Sequence, residues 1–456
     1  MLKIAFLTLG CKVNQADSAS MELLFRKAGH GIVPFTEAEA DVYIVNTCVV
    51  TNTGQQKSRQ MIHRAVRKRA GAVIAVTGCY PQTARDEVKA IEGVDLIIGT
   101  QDRHRIVELV EAAVARKRGG ADGTADGAGS PAAGPDDEVR PWDGRVLFEE
   151  MAGGNEEDKT RAYLKIEEGC NQYCAYCIIP YARGPVRSRS LESIRAEVGK
   201  LTAAGYQEVV LIGIHLGCYG QDRQDGTTLY DAVRAALSVP ALRRLRLGSL
   251  ESVEVEPRLL DLMQQDPRFC PHLHLPLQSG CDKVLRDMHR PYDTVKFAAL
   301  LQDIRAKVPG IAITTDVIVG FPGETDGDFA ATCDFVRQCR FAKMHIFPYS
   351  MRRGTPAAER KDQMPEPVKK ERAEALAAID REMQQAYFQE NVGRTVRVLV
   401  EQPVRAARGG ADPHKVEGLA ENYVRVELPG DASLCRTIVP VKITAAGVDK
   451  CEGERL

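Results

Sequence analysis

The chain has 456 residues, 44% of them hydrophobic and 27% charged, with a formal net charge of −1. This is the composition of a globular protein of about three domains; no apolar run reaches the roughly 18 residues of a membrane span, and a nearly neutral field leaves any nucleic-acid site to local patches. The N-terminus, MLKIAFLTLGCKVNQ, lacks a basic leader and a cleavage site, so it reads as a first strand of a cytoplasmic protein.

In chain order, KIAFLTLG, DVYIVNT, AVIAVTG and VDLIIGT read as strands, and SASMELLFRKAG, QQKSRQMIHRAVRKRA, QTARDEVKAI and RHRIVELVEAAVARK as the helices between them. Near-continuous apolar strands alternating with helices predict an open parallel α/β sheet over 1–117. Residues 118–158 contain GGADGTADGAGSPAAGPDDE, too rich in Gly, Ala, Asp and Pro to bury a core, and read as a flexible linker. From 159 to 389 the alternation returns with AYLKIEEG, EVVLIGI, RLRLGSL, HLHLPL, IAITTDVIVG and FAKMHIFPYS, six β/α units that predict a partial (β/α)6 barrel with its chemistry at the carboxyl ends of the strands. The short alternating strands RTVRVLVE, KVEGLAE, YVRVELP and CRTIVPVKIT predict a small antiparallel β-barrel over 390–448.

Thirteen cysteines in a reducing compartment point to metal or redox chemistry and not to disulfides. Cys170, Cys174 and Cys177 are spaced C-x3-C-x2-C. Three thiolates leave one iron of a cubane 4Fe-4S cluster without a protein ligand, open to a small molecule. A zinc or redox loop with a distant fourth ligand is the other reading of that spacing. Cys11, Cys48 and Cys79 each follow a strand of the same parallel sheet, and parallel strands bring their carboxyl ends to one rim. A buried structural thiol explains one such cysteine; three at one structural position read as a second three-cysteine 4Fe-4S site. The other seven cysteines show no cluster spacing and read as packing residues.

The motif C-x3-C-x2-C with Tyr176 before its last cysteine, behind the first strand of a β/α barrel, resembles the radical S-adenosylmethionine superfamily. The resemblance implies that the open iron binds S-adenosylmethionine and that one electron releases a 5′-deoxyadenosyl radical. It also implies cofactor contacts at Tyr176, at Gly213 and His215 in LIGIHLGCYG, at Gln278 in HLPLQSG, and at Gly320 and Gly323 in TTDVIVGFPGETD. GCKVNQADS, VNTCVVTN and TGCYPQ look like the N-terminal domain of the methylthiotransferases. A cobalamin domain would want D-x-H-x-x-G, which is absent. The tail resembles the TRAM RNA-binding module.

Together these resemblances imply two 4Fe-4S clusters, a tRNA substrate and a low-potential electron donor of flavodoxin or ferredoxin type, with no catalytic residue beyond the cluster ligands. Among three branches, YLKIEEGCNQYCAYCIIPYARGPVRSR and TTDVIVGFPGETDGDF look most like the one that modifies threonylcarbamoyladenosine. The isopentenyladenosine and ribosomal-protein aspartate branches are the alternatives. LQSGCD departs from the family at Cys281, where serine is usual.

Three basic patches are candidate RNA contacts. Arg183, Arg187 and Arg189 lie in ARGPVRSR without an acid, directly after the cluster loop, and suit the cofactor carboxylate or an RNA phosphate. Arg59, Arg64, Arg67 and Lys68 lie in a one-signed stretch with Lys57 and Arg69. Arg394, Arg397, Arg425, Arg436 and Lys442 are spread over the tail strands. A solvated surface is the plain alternative for each. An RNA-binding scaffold without turnover, or a radical enzyme for a small molecule, are readings from other classes.

Overall fold

A computed structural model describes residues 1–36, 39–119, 134–143, 146–153, 159–405 and 410–456. The chain divides into two compact units, one of Met1–Glu156 with Glu167–Arg189 and Ser350–Thr355, the other of Glu157–Ile166, Ser190–Tyr349 and Pro356–Leu456.

In the first unit β1 (Lys3–Thr8), β2 (Gly31–Val33), β3 (Val42–Thr47), β4 (Val73–Gly78), β5 (Leu96–Ile98) and β6 (Asp136–Glu138) form one sheet in the order β2-β1-β3-β4-β5-β6. Every pairing is parallel. Helices α1 (Lys12–Lys27), α2 (Asn52–Val66), α3 (Cys79–Thr83), α4 (Arg85–Lys89) and α5 (Ile106–Gly119) connect the strands. Successive strand residues point to opposite faces: Tyr43, Val45, Ile74 and Val76 enter one core, and Val42, Ile44, Val73 and Ala75 the other. Burial of both faces explains why these strands read as unbroken apolar runs.

Two differences from the sequence reading stand out. Helix α1 starts directly behind Cys11, six residues before the expected Ser18, because Asn14 and Asp17 are buried polar residues of the helix and not loop residues. Asp136–Glu138 lies inside the stretch read as linker, yet it pairs with β5 as the sixth strand. The Gly- and Ala-rich core of that stretch, 120–133, lies outside the described residues, as do 144–145 and 154–158.

β7 (Arg161–Lys165) belongs to the second unit. The chain then contributes β8 (Glu167–Glu168) and β9 (Arg187–Ser188) to the first unit as an antiparallel ladder, with α6 (Ile179–Arg183) between them.

In the second unit β7, β10 (Glu208–Ile212) and β11 (Arg244–Leu247) form one parallel set, and β12 (His272–His274), β13 (Ala312–Val319) and β14 (Lys343–Pro348) another. The bridges Leu245–Phe269 and Ser249–His274 join the sets, so six parallel strands follow one another as expected. Ala162, Leu164, Val209, Leu211, Leu245, Leu247, Leu273, Ile313, Val317 and Met344 enter the core shared with the helices. By the two-residue period their neighbours Arg161, Glu208, Arg244, Arg246, His272, His274, Asp316 and His345 face the lumen.

β15 (Thr395–Arg405), β16 (Ala411–Ala420), β17 (Arg425–Pro429), β18 (Ile438–Ala446) and β19 (Cys451–Arg455) close a five-stranded barrel. β19 lies beyond residue 448, pairs parallel with β17, and buries Cys451 in the barrel core. The turn after β16 reaches the amino ends of the larger barrel's strands. Tyr423 stacks on His272 with ring centroids 4.1 Å apart, and Arg246 donates to the carbonyls of Ala420 and Glu421 at 3.2 Å each. No helix among the described residues is long and apolar enough to cross a membrane.

Candidate active site

The first three cysteines stand where the sheet rim predicts. Cys11 follows β1 and caps α1, Cys48 follows β3, and Cys79 follows β4 as the first residue of α3. Gly10 and Gly78, just before two of them, both have φ of +97°. A Cβ on Gly10 would stand 2.7 Å from the Cys48 sulfur, and one on Gly78 would stand 2.6 Å from the Thr47 carbonyl oxygen, so only glycine lets the backbone turn there. Cys48 and Cys79 are buried while Cys11 is exposed. Burial pushes the Cys79 thiol up to about 11, with Arg183 opposing the rise and Cys11 and Cys48 adding to it. The Cys48 sulfur stands against the residue just before Cys11.

The second three lie in the loop between β8 and α6, in the same unit. The Cys170 amide donates to the Gly184 carbonyl at 2.9 Å and the Cys177 amide to the Cys174 carbonyl at 3.0 Å, which curls the loop around its thiols. Tyr173 sits at φ +47° and, like Tyr181, is about half exposed, and the two rings meet edge to face at 5.7 Å. Tyr176 is half-buried. A cleft of about 520 Å³ is lined by Val49, Gln82, Thr83, Ile178, Arg352 and Arg353. Val49 and Ile178, the chain neighbours of Cys48 and Cys177, both line this cleft.

Arg183, Arg187 and Arg189 do not form the RNA-facing patch that the sequence suggests; all three are buried. Arg183 donates Nε–H to the Cys79 sulfur at 3.2 Å and Nη1–H to Asp17 at 2.9 Å and Glu168 at 2.5 Å, and its Nη2 meets Asn14. Arg103 binds the same two carboxylates and Glu149. Burial opposes the charge on Arg183, but Cys79, Asp17 and Glu168 raise its pKa well above the ordinary value. Arg187 packs over Trp142 at 4.6 Å, and Arg189 donates to the Met151 carbonyl at 2.7 Å. The acids arrive from elsewhere in the chain, which a local reading cannot see.

The same holds in part for the α2 patch. Arg59 pairs with Glu87 at 3.7 Å and Arg69 with Asp41 at 3.2 Å, and Arg64 and Lys68 lie over Phe35. Lys57 and Arg67 are exposed. In the tail, Arg397 donates to the Pro267 carbonyl at 2.5 Å, and Arg425 pairs with Glu417 at 3.2 Å and Glu401 at 3.6 Å, so both are engaged within the unit. Arg394, Arg436 and Lys442 are exposed. Arg394 also lines a cavity of about 210 Å³ with Arg305 and Arg340.

In the larger barrel, Gly213 and His215 follow β10, and His215 is buried with Nε2 at 2.7 Å from Glu254. Cys218, read as a packing residue, stands 3.4 Å from His215 Nδ1 and 3.2 Å from Glu254, so it belongs to a polar cluster. Gln278 sits at φ +66° and continues the ladder to β13 by exchanging amide bonds of 2.8 Å with Asp316 and Ile318. Gly320 and Gly323 also have positive φ, and the space a Cβ would take is filled by Lys369 at the first and by Arg360 and Asp362 at the second. The Cys281 thiol donates to Asp328 at 3.3 Å, a bond a serine hydroxyl would also make.

Residues 3–99 match an uncharacterized protein family, UPF0004, and residues 164–336 match the radical SAM superfamily. The threonylcarbamoyladenosine tRNA methylthiotransferase MtaB of Bacillus subtilis is 38% identical over 100% of this chain and 96% of its own length. MtaB of Aquifex aeolicus is 35% identical over 94% and 97%. The tRNA-2-methylthio-N(6)-dimethylallyladenosine synthase of Pelotomaculum thermopropionicum is 33% identical over 98% and 96%. Among solved structures, the radical S-adenosylmethionine methyltransferase TsrM of Kitasatospora setae covers 78% of this chain and 77% of its own at 17% identity and a TM-score of 0.56, a likeness of fold alone. Near-full-length identity with such relatives, together with two cysteine triads in one unit, makes this chain a member of the radical S-adenosylmethionine methylthiotransferase family, close to its threonylcarbamoyladenosine tRNA branch.

Proposed function

We propose that this protein inserts a methylthio group at C2 of N6-threonylcarbamoyladenosine at position 37 of tRNA, with S-adenosylmethionine as methyl donor and radical source. The observation that carries the reading is the pair of three-cysteine sets in one compact unit, with a chain neighbour of each lining the same cleft. Each set supplies three soft thiolates, the donors suited to iron–sulfur clusters, and the backbone turns at Gly10 and Gly78 favour thiols held on one rim.

Cys170, Cys174 and Cys177 would hold the cluster that binds S-adenosylmethionine, and Cys11, Cys48 and Cys79 a second one where sulfur waits. When bound, the first cluster and its cofactor supply a 5′-deoxyadenosyl radical. The chain's own contribution is positional. Arg183 fixes the Cys79 side chain, and the ladder between β8 and β9 fixes the ends of the Cys170 loop. A flavodoxin- or ferredoxin-like donor would bring the electron. Arg394, Arg436 and Lys442 would contact tRNA phosphates.

The test is iron content and nucleoside analysis. Anaerobically reconstituted protein should hold about eight irons, and alanine at Cys170, Cys174 and Cys177 together, or at Cys11, Cys48 and Cys79 together, should leave about four. Loss of the second set should preserve 5′-deoxyadenosine formation and abolish methylthiolation of threonylcarbamoyladenosine tRNA. Full iron in that mutant would refute the second site. A relative that acts on dimethylallyladenosine at 33% identity keeps the isopentenyl substrate as the second reading; methylthio-isopentenyladenosine as product would establish it.

A further inference from the structure

The lumen of the larger barrel holds a polar group apart from the cysteine sets and from the cofactor contacts named above. Leu273, Leu275, Ile313, Val317, Val319 and Met344 are buried against the helices. Their alternates His274, Thr314, Asp316 and His345 therefore turn inward from three adjacent strands. One ligand atom each of His274, Asp316 and His345 lies within 4.8 Å of the others. His274 Nε2 is 3.2 Å from Asp316, and His274 Nδ1 is 2.9 Å from the Thr314 hydroxyl. The interior of a parallel barrel is ordinarily filled by branched apolar side chains, and three ionisable groups displaced from water there are costly without partners. They are not sealed in: His274 and Asp316 are half-buried and His345 is exposed. The turn at Tyr423 closes the amino end of the lumen through His272, so a ligand reaches the group from the carboxyl ends of the strands, the end where such barrels do their chemistry.

We propose that His274, Asp316 and His345 bind the N6 substituent of the target adenosine and select a urea that carries a hydroxyl and a carboxylate. The inference rests on the threonylcarbamoyladenosine reading above. The Asp316 carboxylate accepts from the urea N–H or the hydroxyl. The imidazole N–H of His345 donates to the carboxylate, while Asp316 and Thr314 hold the two ring nitrogens of His274 and fix that side of the group. An isopentenyl arm offers none of these partners and would desolvate three polar side chains with nothing in exchange, which is how a hydrogen-bonding site rejects an apolar analogue.

The experiment measures binding of full-length reconstituted protein to three fluorescent anticodon stem-loop RNAs that differ only at one adenosine: threonylcarbamoylated, isopentenylated or unmodified. The wild type should bind the first about tenfold or more tighter than either other loop, since unpaired polar groups discriminate at that level or above. Asp316→Asn and His345→Asn should each bring the ratio to within about twofold, and the ratio between loops cancels any general loss of RNA affinity. Variants that keep the wild-type ratio overturn the proposal. If either variant melts early by circular dichroism, Thr314→Val, which frees the His274 ring and also releases the bond to His272, should still lower the ratio, and an unchanged ratio there counts against the site equally. Stoichiometric zinc in the wild type, lost in His345→Asn, would also overturn it, because a metal would then fill the group. A wild type that prefers and modifies the isopentenyl loop refutes the substrate reading instead, a result distinct from failure of the variants.

Discussion

Arg183 directs its guanidinium wholly inward, onto Asp17, Glu168, Asn14 and the Cys79 sulfur. Replacing it with glutamine leaves Asp17 and Glu168 to share Arg103 alone, so the loss should stay below the roughly 3–5 kcal/mol of a wholly unpaired buried charge. The apo-protein should melt below the wild type, and Arg183→Lys, which keeps the charge, should recover part of the loss; an unchanged melting temperature would show that the network carries no stability. The cysteines themselves were legible, since Gly-Cys or Thr-Cys behind an apolar strand places a thiol on the rim of a parallel sheet. Arg183 was not, because its partners at 14, 17, 79 and 168 share no local pattern with ARGPVRSR. Three arginines without a neighbouring acid look alike whether they meet a phosphate or a distant carboxylate.

Among the elements, the turn after β16 joins the small barrel to the large, alongside Arg397 and Glu401 of β15. It caps a buried charge cluster in which Glu208 accepts from Arg244 at 3.2 Å and Arg246 at 3.0 Å, while Arg161 reaches Glu401 at 3.0 Å. Burial opposes ionisation of Glu208, but Arg246, Arg244 and Arg161 outweigh it and hold the carboxyl at about 2, below its ordinary 4.5. A depressed carboxyl stabilises the fold above its unfolded pKa and ceases to do so as the folded value is passed. Stability on the order of 3 kcal/mol should therefore disappear as pH falls from about 4.5 toward about 2. Thermal melts across that window should show this acid-dependent loss in the wild type and lack it in Glu208→Gln. Tyr423→Ala removes the stack on His272 and should cost about 2 kcal/mol. RLRLGSL and HLHLPL announced strands by their alternation, but the alternation does not tell what the polar face meets. Here that face meets a turn some 175 residues further along.

Across the molecule, three folded modules were readable from where helices and strands alternate and where the helices stop. Their mutual dependence was not. Cutting the chain at residue 390 would leave Arg244 and Arg246 without the Leu419, Ala420 and Glu421 carbonyls that they bind. Such a truncation should lower solubility and melting temperature of the catalytic barrel as well as RNA affinity, so it does not isolate the tail's binding role. Charge reversal at Arg394, Arg436 and Lys442, all exposed, does isolate it. The triple variant should melt like the wild type, bind tRNA more weakly, and show a salt dependence shallower by about one for each lost phosphate contact. Unchanged affinity across a salt series would assign these residues to solvent.

The cap at Tyr423 also sets a timetable. A nascent chain emerges at about 5–20 residues per second, so once Arg246 and Glu208 have left the ribosome the turn that covers them is still on the order of ten to thirty seconds away. Through that interval Arg244 and Arg246 keep Glu208 but lack the Leu419, Ala420 and Glu421 carbonyls, so the cluster stays uncovered at one end of the barrel. The catalytic unit therefore completes its fold only when translation is nearly finished, and a ribosome stalled within the last strands should present a barrel open to proteolysis at β10 and β11.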